Sequence, residues 1–443
     1  MLLLYLPRTT ARSSYTLDHL LTRELGIAFT VTSDRHYFES YGGAKINYSG
    51  EPGSGGFFIR ASPLLFETGT AHQDVRPSTI RGLPVLFTSQ GPCDLGFDIF
   101  AASFYLLSRY EEYLPYTPDR YGRFDVQGSV AWKHHFLHLP VVQKWGRLFR
   151  DLLLQKGFTL PGPTGAFRAL LTYDVDVAFK YKGRSLLRNT GSILRDVLRM
   201  DWANIRERQA VARGVRADPW DTYRYLLQPP GAPSPGLIFF FLLGDRTRYD
   251  RNIDYRQPVM RQLVREIASQ CPVGIHPSFY TAGSPQRLLR EKQRLEEIAG
   301  LPVTRSRQHF LKFRLPQTYR SLIEAGVTED YSMGYPYQPG FRAGTCRPFA
   351  FYDLESETAT GLTLYPVTLM EGNFMAGNPE AGSVMNTLEA LIGEVKEAGG
   401  IFLSIWHNHT VSDTPAFRTW RNIHDRMRLL AAGPGKAASG GPA

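Results

Sequence analysis

The sequence predicts an α/β fold in which a (β/α) barrel makes up the C-terminal part of the chain. From Phe167 onward, seven apolar runs of strand length alternate with helical patterns. Several of these runs end in a side chain that can bind a metal or transfer a proton, an arrangement typical of α/β barrels and open α/β sheets. Seven βα units in about 260 residues also fit the size of a barrel.

The predicted strands are short apolar runs, and amphipathic spacing with terminal Pro or Gly residues predicts the helices between them. The strands are 167–173, 237–243, 273–276, 303–309, 331–342 (loosely bounded), 362–370 and 401–406. The helices are 257–269, 285–299, 316–325 and 383–398.

A smaller α/β domain, 1–160, is predicted to precede the barrel. Its clearest element is a helix at 98–113, where apolar residues recur at helical spacing before Pro115. A Gly/Pro linker at 162–165 leads to the barrel at 166–431, which contains a basic helical insertion at 183–234. The Gly/Ala/Pro composition of the tail at 432–443 predicts disorder.

Composition limits the classes of function. The chain has 443 residues, 43% hydrophobic content and a formal net charge of +10, so it can bury a large core and favours anionic surroundings. Its 21% charged residues are ordinary, and we predict no nucleic-acid partner. Three widely spaced cysteines favour a reducing compartment, and the apolar start predicts a buried strand, not a signal peptide. We therefore expect a cytoplasmic protein of undetermined oligomeric state.

Asp174 and Asp176 form the most informative motif. They end the first barrel strand two residues apart, so both side chains leave the same face, and such a pair can place a metal ligand beside a general base. The alternative is turn chemistry, in which the carboxylates bond backbone N–H groups. Polar residues at the other strand ends favour the functional interpretation. They are His276, His309, Arg342, His407 and His409.

These motifs resemble those of the polysaccharide deacetylase superfamily, which has the NodB homology domain and includes carbohydrate esterase 4-like enzymes. The resemblance covers roughly residues 165–430 and rests on Thr-Tyr-Asp174-Val-Asp176, Gly-Ile-His276, Gly-Phe-Arg342-Ala-Gly-Thr and Leu-Ser-Ile-Trp-His407. The first 160 residues resemble an uncharacterised domain that precedes such barrels in Bacteroidetes-type proteins. The resemblance implies a distorted (β/α)7 barrel and one divalent metal, usually zinc.

The resemblance also implies roles. Asp174 matches the catalytic base, Asp176 and His276 match metal ligands, Arg342 matches the arginine that orients the base, and His407 matches the general acid. Because Val175 separates the two aspartates, the roles of base and ligand could be exchanged.

The third metal ligand departs from the family pattern. The usual second histidine of His-x-x-x-His is replaced by Tyr280, and neutral tyrosine is a poor zinc ligand. We expect His309 to supply the third ligand, with His409 as the alternative.

The sequence thus predicts a metal-dependent hydrolase that removes N- or O-acetyl groups from a carbohydrate, such as an envelope polysaccharide or its precursor. One alternative is a glycan-binding or scaffolding barrel with a degenerate metal site, which the missing histidine favours. Another is a metal hydrolase of a different amide or ester, because fold and metal do not fix the substrate.

The arginine-rich insertion carries a separate expectation. Leucines and arginines at helical spacing, among them Leu186, Leu187, Leu194, Leu198, Arg188, Arg195 and Arg199, predict a basic amphipathic helix. It either packs on the barrel with a solvated face or attaches the protein to an anionic membrane surface or lipid-linked glycan.

Overall fold

The computed structural model describes residues 1–53, 55–184, 186–228, 235–375 and 380–432, without the side chains at 186–189. Residues 433–443, where a disordered tail is predicted, lie outside the described residues, as do the side chains of Leu186, Leu187 and Arg188. Within the described part, no helix has both the length and the apolar content needed to cross a membrane.

The N-terminal region, residues 1–160, is built on a four-stranded parallel sheet in the order β2-β1-β3-β4. These strands are β1 (Leu2–Tyr5), β2 (Phe29–Thr32), β3 (Lys45–Ser49) and β4 (Phe57–Arg60), and a hairpin of β5 (Ser78–Ile80) and β6 (Leu83–Val85) follows. The helices are α1 (Ala11–Leu17), α2 (Arg35–Ser40), α3 (Ile99–Leu107), α4 (Val130–Lys133) and α5 (Val141–Gln155), and a π-helical segment, Asp18–Glu24, continues α1.

The helix predicted at 98–113 is shorter in the structure. Asp98 caps its N-terminus by accepting hydrogen bonds from the Phe100 and Ala101 amides. Arg109 has a φ of +55°, which ends α3 and starts a 3-10 turn, Tyr110–Glu112. The predicted helix extended past this point because Tyr110 continues the helical spacing of core residues. In the structure Tyr110 is indeed buried, but it lies in the 3-10 turn.

The barrel is a curled nine-stranded sheet in the order β12-β13-β11-β10-β9-β8-β7-β15-β14. All neighbours are parallel except the antiparallel pair β12 and β13. The strands are β7 (Arg168–Val175), β8 (Gly236–Phe241), β9 (Val273–Ile275), β10 (Arg305–Ser306), β11 (Glu329–Met333), β12 (Phe349–Asp353), β13 (Thr358–Pro366), β14 (Leu369–Met370) and β15 (Ile401–His407). This confirms the predicted α/β fold with a distorted barrel.

The helices around the sheet follow the predicted alternation. They are α9 (Pro258–Ala268), α10 (Pro285–Ala299), α11 (Gln317–Glu324), α12 (Gly372–Met375), α13 (Ala381–Ala398) and α14 (Arg418–Ala432), while α6 (Leu186–Leu198), α7 (Trp202–Ala212) and α8 (Tyr223–Leu226) belong to the insertion. One predicted strand, 331–342, stops at Met333, which leaves Arg342 in a loop, and β12 was not predicted.

The apolar core crosses the linker between the N-terminal region and the barrel. One continuous cluster includes Phe104 and Leu106 of α3 together with Tyr319 and Tyr352 of the barrel. Polar contacts reinforce this packing: Arg12 pairs with Glu357, and the Tyr15 hydroxyl donates to the Ala350 carbonyl over 2.9 Å. The N-terminal region therefore covers barrel strands β12 and β13.

Candidate metal centre

Three strand ends bring together a group of side chains that could hold a metal ion. Asp176 directly follows β7, His276 directly follows β9, and His309 lies three residues beyond β10. One potential ligand atom from each of them lies within 4.8 Å of the others. The convergence arises because the C-terminal ends of parallel strands share one rim of the sheet.

Within this group, the imidazole nitrogens face the carboxylate of Asp176. His276 Nε2 lies 3.2 Å from Asp176 Oδ1, and His309 Nε2 lies 3.4 Å from Asp176 Oδ2. Asp176 Oδ1 is buried, and no described group offers it a hydrogen bond of normal geometry. A buried carboxylate oxygen that lacks a donor, beside two imidazoles, fits a divalent cation.

The far side of each imidazole is also fixed. His309 Nδ1 lies 2.9 Å from Asp250 Oδ1, and His276 Nδ1 lies 2.6 Å from the Arg307 carbonyl. Such outer contacts orient metal-binding histidines and set their tautomer. Asp250 was missed in the sequence because it lies in an irregular loop after β8, away from any strand end.

Charge coupling within the group is strong. Burial raises the pKa of Asp176, but His309 and His407 oppose this and hold it well below its usual range. Burial lowers the pKa of His309, and the nearby carboxylates of Asp176 and Asp250 raise it to about 9. In the absence of a metal, the negative charge of Asp176 thus favours a protonated His309.

Asp174 is buried beside the group and is held by Arg307. Arg307 Nη1 donates to Asp174 Oδ1 over 3.0 Å, while Asp174 Oδ2 lies 3.8 Å from His276 Nε2. The guanidinium stacks on the Phe240 ring, 4.4 Å from its centroid. Phe240 fits there because Gly274 has no side chain, since a Cβ at that position would come within 2.5 Å of the ring.

The structure corrects the predicted partner of Asp174. Arg342 instead forms a two-pronged ion pair with Glu112 of the N-terminal region, with Nη2–Oε2 and Nε–Oε1 distances of 2.7 and 2.9 Å. The predicted role of Arg342 came from the resemblance of Gly-Phe-Arg342-Ala-Gly-Thr to a family motif, and in the structure this segment is a loop between β11 and β12. In the described part of the chain, Arg307 is the arginine that contacts Asp174.

His407 completes the rim. It ends β15, directly opposite Asp174 in the strand register, and its Nε2 lies 3.5 Å from Asp176 Oδ2. Its Nδ1 lies 2.6 Å from Oε1 of Glu371, a residue that the sequence analysis missed. Burial lowers the pKa of His407, whereas Glu371 and Asp176 raise it to about 10. The two carboxylates therefore favour the protonated ring when no metal is bound.

His409 lies farther from this centre. Its ring is 5.6 Å from that of His407 and 5.2 Å from Trp220, and burial together with the charge of His407 lowers its pKa to about 4. In the described residues, the group that could hold a metal includes His309 and does not include His409. Tyr280, which replaces the family's second histidine, is 43% exposed and contacts the Tyr249 and Phe279 rings.

A cleft of about 220 Å³ opens onto Asp176. Its walls combine aromatic rings with residues of the candidate metal centre. The residues that line the cleft are Asp176, Val177, Trp220, Tyr249, Arg251, His309, Phe310 and His409. The N-terminal region reaches this wall through Tyr121, whose ring lies 5.2 Å from Phe310 and 6.0 Å from Tyr249. The insertion contributes Trp220. Two parts of the chain outside the βα pattern therefore shape the approach to the candidate metal centre.

Comparison with known proteins gives one family match and several similar folds. Residues 2–158 match a protein-family model described as a family of unknown function, DUF7033. No curated protein matches the chain.

Similar solved structures include a Mycobacterium smegmatis protein assigned to the polysaccharide deacetylases, with 15% identity, a TM-score of 0.37, and coverage of 62% of this chain and 88% of that one. A probable polysaccharide deacetylase from Pseudomonas aeruginosa has 14% identity, a TM-score of 0.36 and coverage of 60% and 84%. PuuE allantoinase has 12% identity, a TM-score of 0.35 and coverage of 60% and 88%.

Proposed function

We propose that this protein is a metal-dependent hydrolase that removes acetyl groups from a carbohydrate. The observation that carries the proposal is the convergence of Asp176, His276 and His309 beside a second buried carboxylate, Asp174. Hydrolysis of a poorly electrophilic acyl group needs at least a set of metal ligands and, beside it, a carboxylate that does not bind the metal.

The metal-binding role falls to Asp176, His276 and His309. When bound, a divalent cation such as Zn²⁺ supplies Lewis-acid activation of a water molecule and of an acyl carbonyl. Asp174 then serves as the base that accepts the proton of the attacking water. Arg307 fixes the orientation of this carboxylate through Oδ1, which leaves Oδ2 on the side of His276 and the metal centre.

His407 has the properties of the general acid. Its contact with Glu371 favours the charged ring and fixes its orientation, and its Nε2 lies 3.5 Å from Asp176 Oδ2, the oxygen that also faces His309. Loss of the acyl group leaves an amine or alkoxide that needs a proton, and a histidine beside the centre is placed to donate one.

The cleft supports a carbohydrate as the substrate. Trp220, Tyr249 and Phe310 present aromatic rings beside Asp176, and such rings pack on the apolar faces of sugars. The resemblance of the Asp174, His276 and His407 motifs to those of polysaccharide deacetylases favours the same substrate class.

The first test measures metal and catalysis together. Untagged protein is purified, its metal content is determined by mass spectrometry, and acetate release is followed on N-acetylated and O-acetylated sugar oligomers. Asp174→Asn keeps the size of the side chain but removes the base, so kcat should fall roughly 10²–10⁴-fold while metal stays bound. Asp245→Asn, an exposed aspartate paired with Arg294, is the matched control. If Asp174→Asn instead loses its metal, Asp174 is a metal ligand and Asp176 is the base, the reverse of the proposed roles.

The second test identifies the ligands. His276→Ala or Asp176→Ala should lower bound metal by about an order of magnitude or more. His309→Ala should do the same, whereas His409→Ala should not. Wild-type protein that binds no metal but does bind glycans would replace the hydrolase proposal with the scaffolding alternative. Wild-type protein that binds metal but releases no acetate would point to another amide or ester.

A further inference from the structure

The helix α6 of the insertion is oriented with its polar side toward the protein. Ser192 and Asp196, four residues apart on one face, are buried. Asp196 Oδ2 pairs with Arg208 Nη2 of α7 over 2.8 Å and accepts a second 2.8 Å hydrogen bond from Asn204. The packing between α6 and α7 therefore depends on charges and hydrogen bonds, which is the reverse of an ordinary surface helix.

The opposite side of α6 is apolar and faces outward. Leu194 and Leu198 are 61% and 76% exposed, and Met200 and Trp202, at the turn into α7, are 74% and 55% exposed. Ile193 and Val197 extend the same side and are also exposed. Scattered single exposed apolar residues need no explanation, but six within ten residues form a contiguous patch of the kind that marks an interaction site. One alternative from the sequence was that this helix packs its leucines on the barrel. The exposed side chains of Leu194 and Leu198 do not pack in that way.

Positive charge borders this patch. Arg195 lies on α6 and Arg199 directly follows it. Arg206 lies on α7 and Arg213 directly follows it, and all four side chains are exposed. Within the described part of the chain, no acidic side chain forms an ion pair with any of these four arginines. The nearby acidic groups have other partners: Asp196 pairs with Arg208, and Glu207 pairs with both Lys180 and Arg216. Asp201, in the turn, caps α7 by accepting a hydrogen bond from the Asn204 amide.

We propose that the outward face of α6 and the α6–α7 turn dock on an anionic lipid bilayer. Leu194, Leu198, Met200 and Trp202 would enter the boundary between headgroups and acyl chains, and the arginines would meet acidic headgroups. Charge complementarity selects this occupant over a second copy of the chain, because two copies facing each other would bring the same arginines together. The docking goes beyond the proposed hydrolysis and does not depend on the metal centre.

The test is vesicle co-sedimentation of the full chain with phosphatidylcholine vesicles, with and without phosphatidylglycerol. Binding should increase with phosphatidylglycerol and weaken between roughly 0.05 and 0.5 M salt. The double substitution Leu194→Ser and Leu198→Ser should lower the partition coefficient about tenfold or more. Arg195→Gln with Arg199→Gln should lower it mainly on anionic vesicles. Leu289→Ser with Arg290→Gln, an exposed pair on α10, is the matched control.

A second measurement uses Trp202 as a reporter. Anionic vesicles should shift its fluorescence to shorter wavelength, and Trp202→Phe should remove the shift without preventing sedimentation. Equal, weak sedimentation with both kinds of vesicle would overturn the proposal, as would full binding by the double serine variant with an unchanged melting temperature. Self-association that the serine variant abolishes, without vesicle binding, would assign the patch to a second copy and likewise overturn it.

Discussion

Arg123 of the N-terminal region donates a hydrogen bond from Nη1 to the carbonyl of Phe310, over 2.5 Å. Phe310 has a φ of +62°, a left-handed conformation that is uncommon for a bulky residue, and it directly follows His309. Asp119 holds Arg123 in turn, with an Nη2–Oδ2 distance of 2.6 Å. The N-terminal region thus holds in place the turn that carries His309, a proposed metal ligand.

Removing that hydrogen bond should loosen the metal centre. Arg123→Met keeps much of the apolar length of the side chain but leaves the Phe310 carbonyl without its donor. We expect about a tenfold loss of metal affinity, measured by competition with a chelator. The control is Arg120→Met, an exposed neighbour whose contacts are with Tyr121 and Tyr337. Equal affinity for Arg123→Met and the wild type would show that the turn keeps its conformation without Arg123.

Asp250 should affect metal binding although it is outside the proposed ligand set. Asp250→Asn weakens the contact that orients the His309 ring, and outer-shell changes of this kind typically cost about 10–100-fold in metal affinity or activity. Asp245→Asn, five residues earlier and exposed, should have no effect. Isothermal titration with Zn²⁺ on metal-free protein measures both variants. Indistinguishable dissociation constants would remove Asp250 from the site.

The two buried arginines should separate catalysis from stability. Arg307→Lys loses the fixed geometry beside Asp174, so kcat should fall by at least about tenfold with metal retained. Arg342→Lys loses the two-pronged pairing with Glu112, so it should lower the melting temperature and leave kcat per folded molecule nearly unchanged. Steady-state kinetics and calorimetry on both variants provide the comparison. The reverse pattern would return the orienting role to Arg342.

Glu291 should make stability depend on pH. Its carboxyl is buried against Ser278, and burial raises its pKa to about 7 from an ordinary value of 4.5. The folded state therefore holds this proton more tightly than the unfolded state does. The stabilisation is fully present below about pH 4.5 and is lost as pH rises through about 7, by at most about 3 kcal/mol. Glu291→Gln should show a smaller fall in the free energy of unfolding between about pH 5 and pH 8, measured by urea denaturation. An identical fall in both proteins would place the pH dependence elsewhere.

The sequence allowed prediction of the barrel and of the side chains that stand at its strand ends. Asp174, Asp176, His276 and His407 follow apolar runs, and parallel strands bring such positions to one rim whatever the details of packing. His309 required one further step, the absence of a second histidine at Tyr280.

The residues that sequence reasoning missed depend on tertiary packing. Asp250 and Glu371 are single acids in irregular segments, and only the fold brings them to His309 and His407. Arg307 and Arg342 both lie near the ends of predicted strands. The neighbouring sequence does not show which of the two contacts Asp174. Their partners, Asp174 and Glu112, lie 133 and 230 residues away along the chain.

The apolar cluster that spans α3 and barrel strands β12 and β13 has a consequence for how the molecule melts. Separating the two regions would expose Phe104 on one side and Tyr352 on the other, and both rings are almost fully buried. Heating should therefore give one calorimetric transition for the whole chain, since neither part keeps a complete core without the other. A fragment that begins at the linker would have an uncovered apolar sheet face and should aggregate during folding.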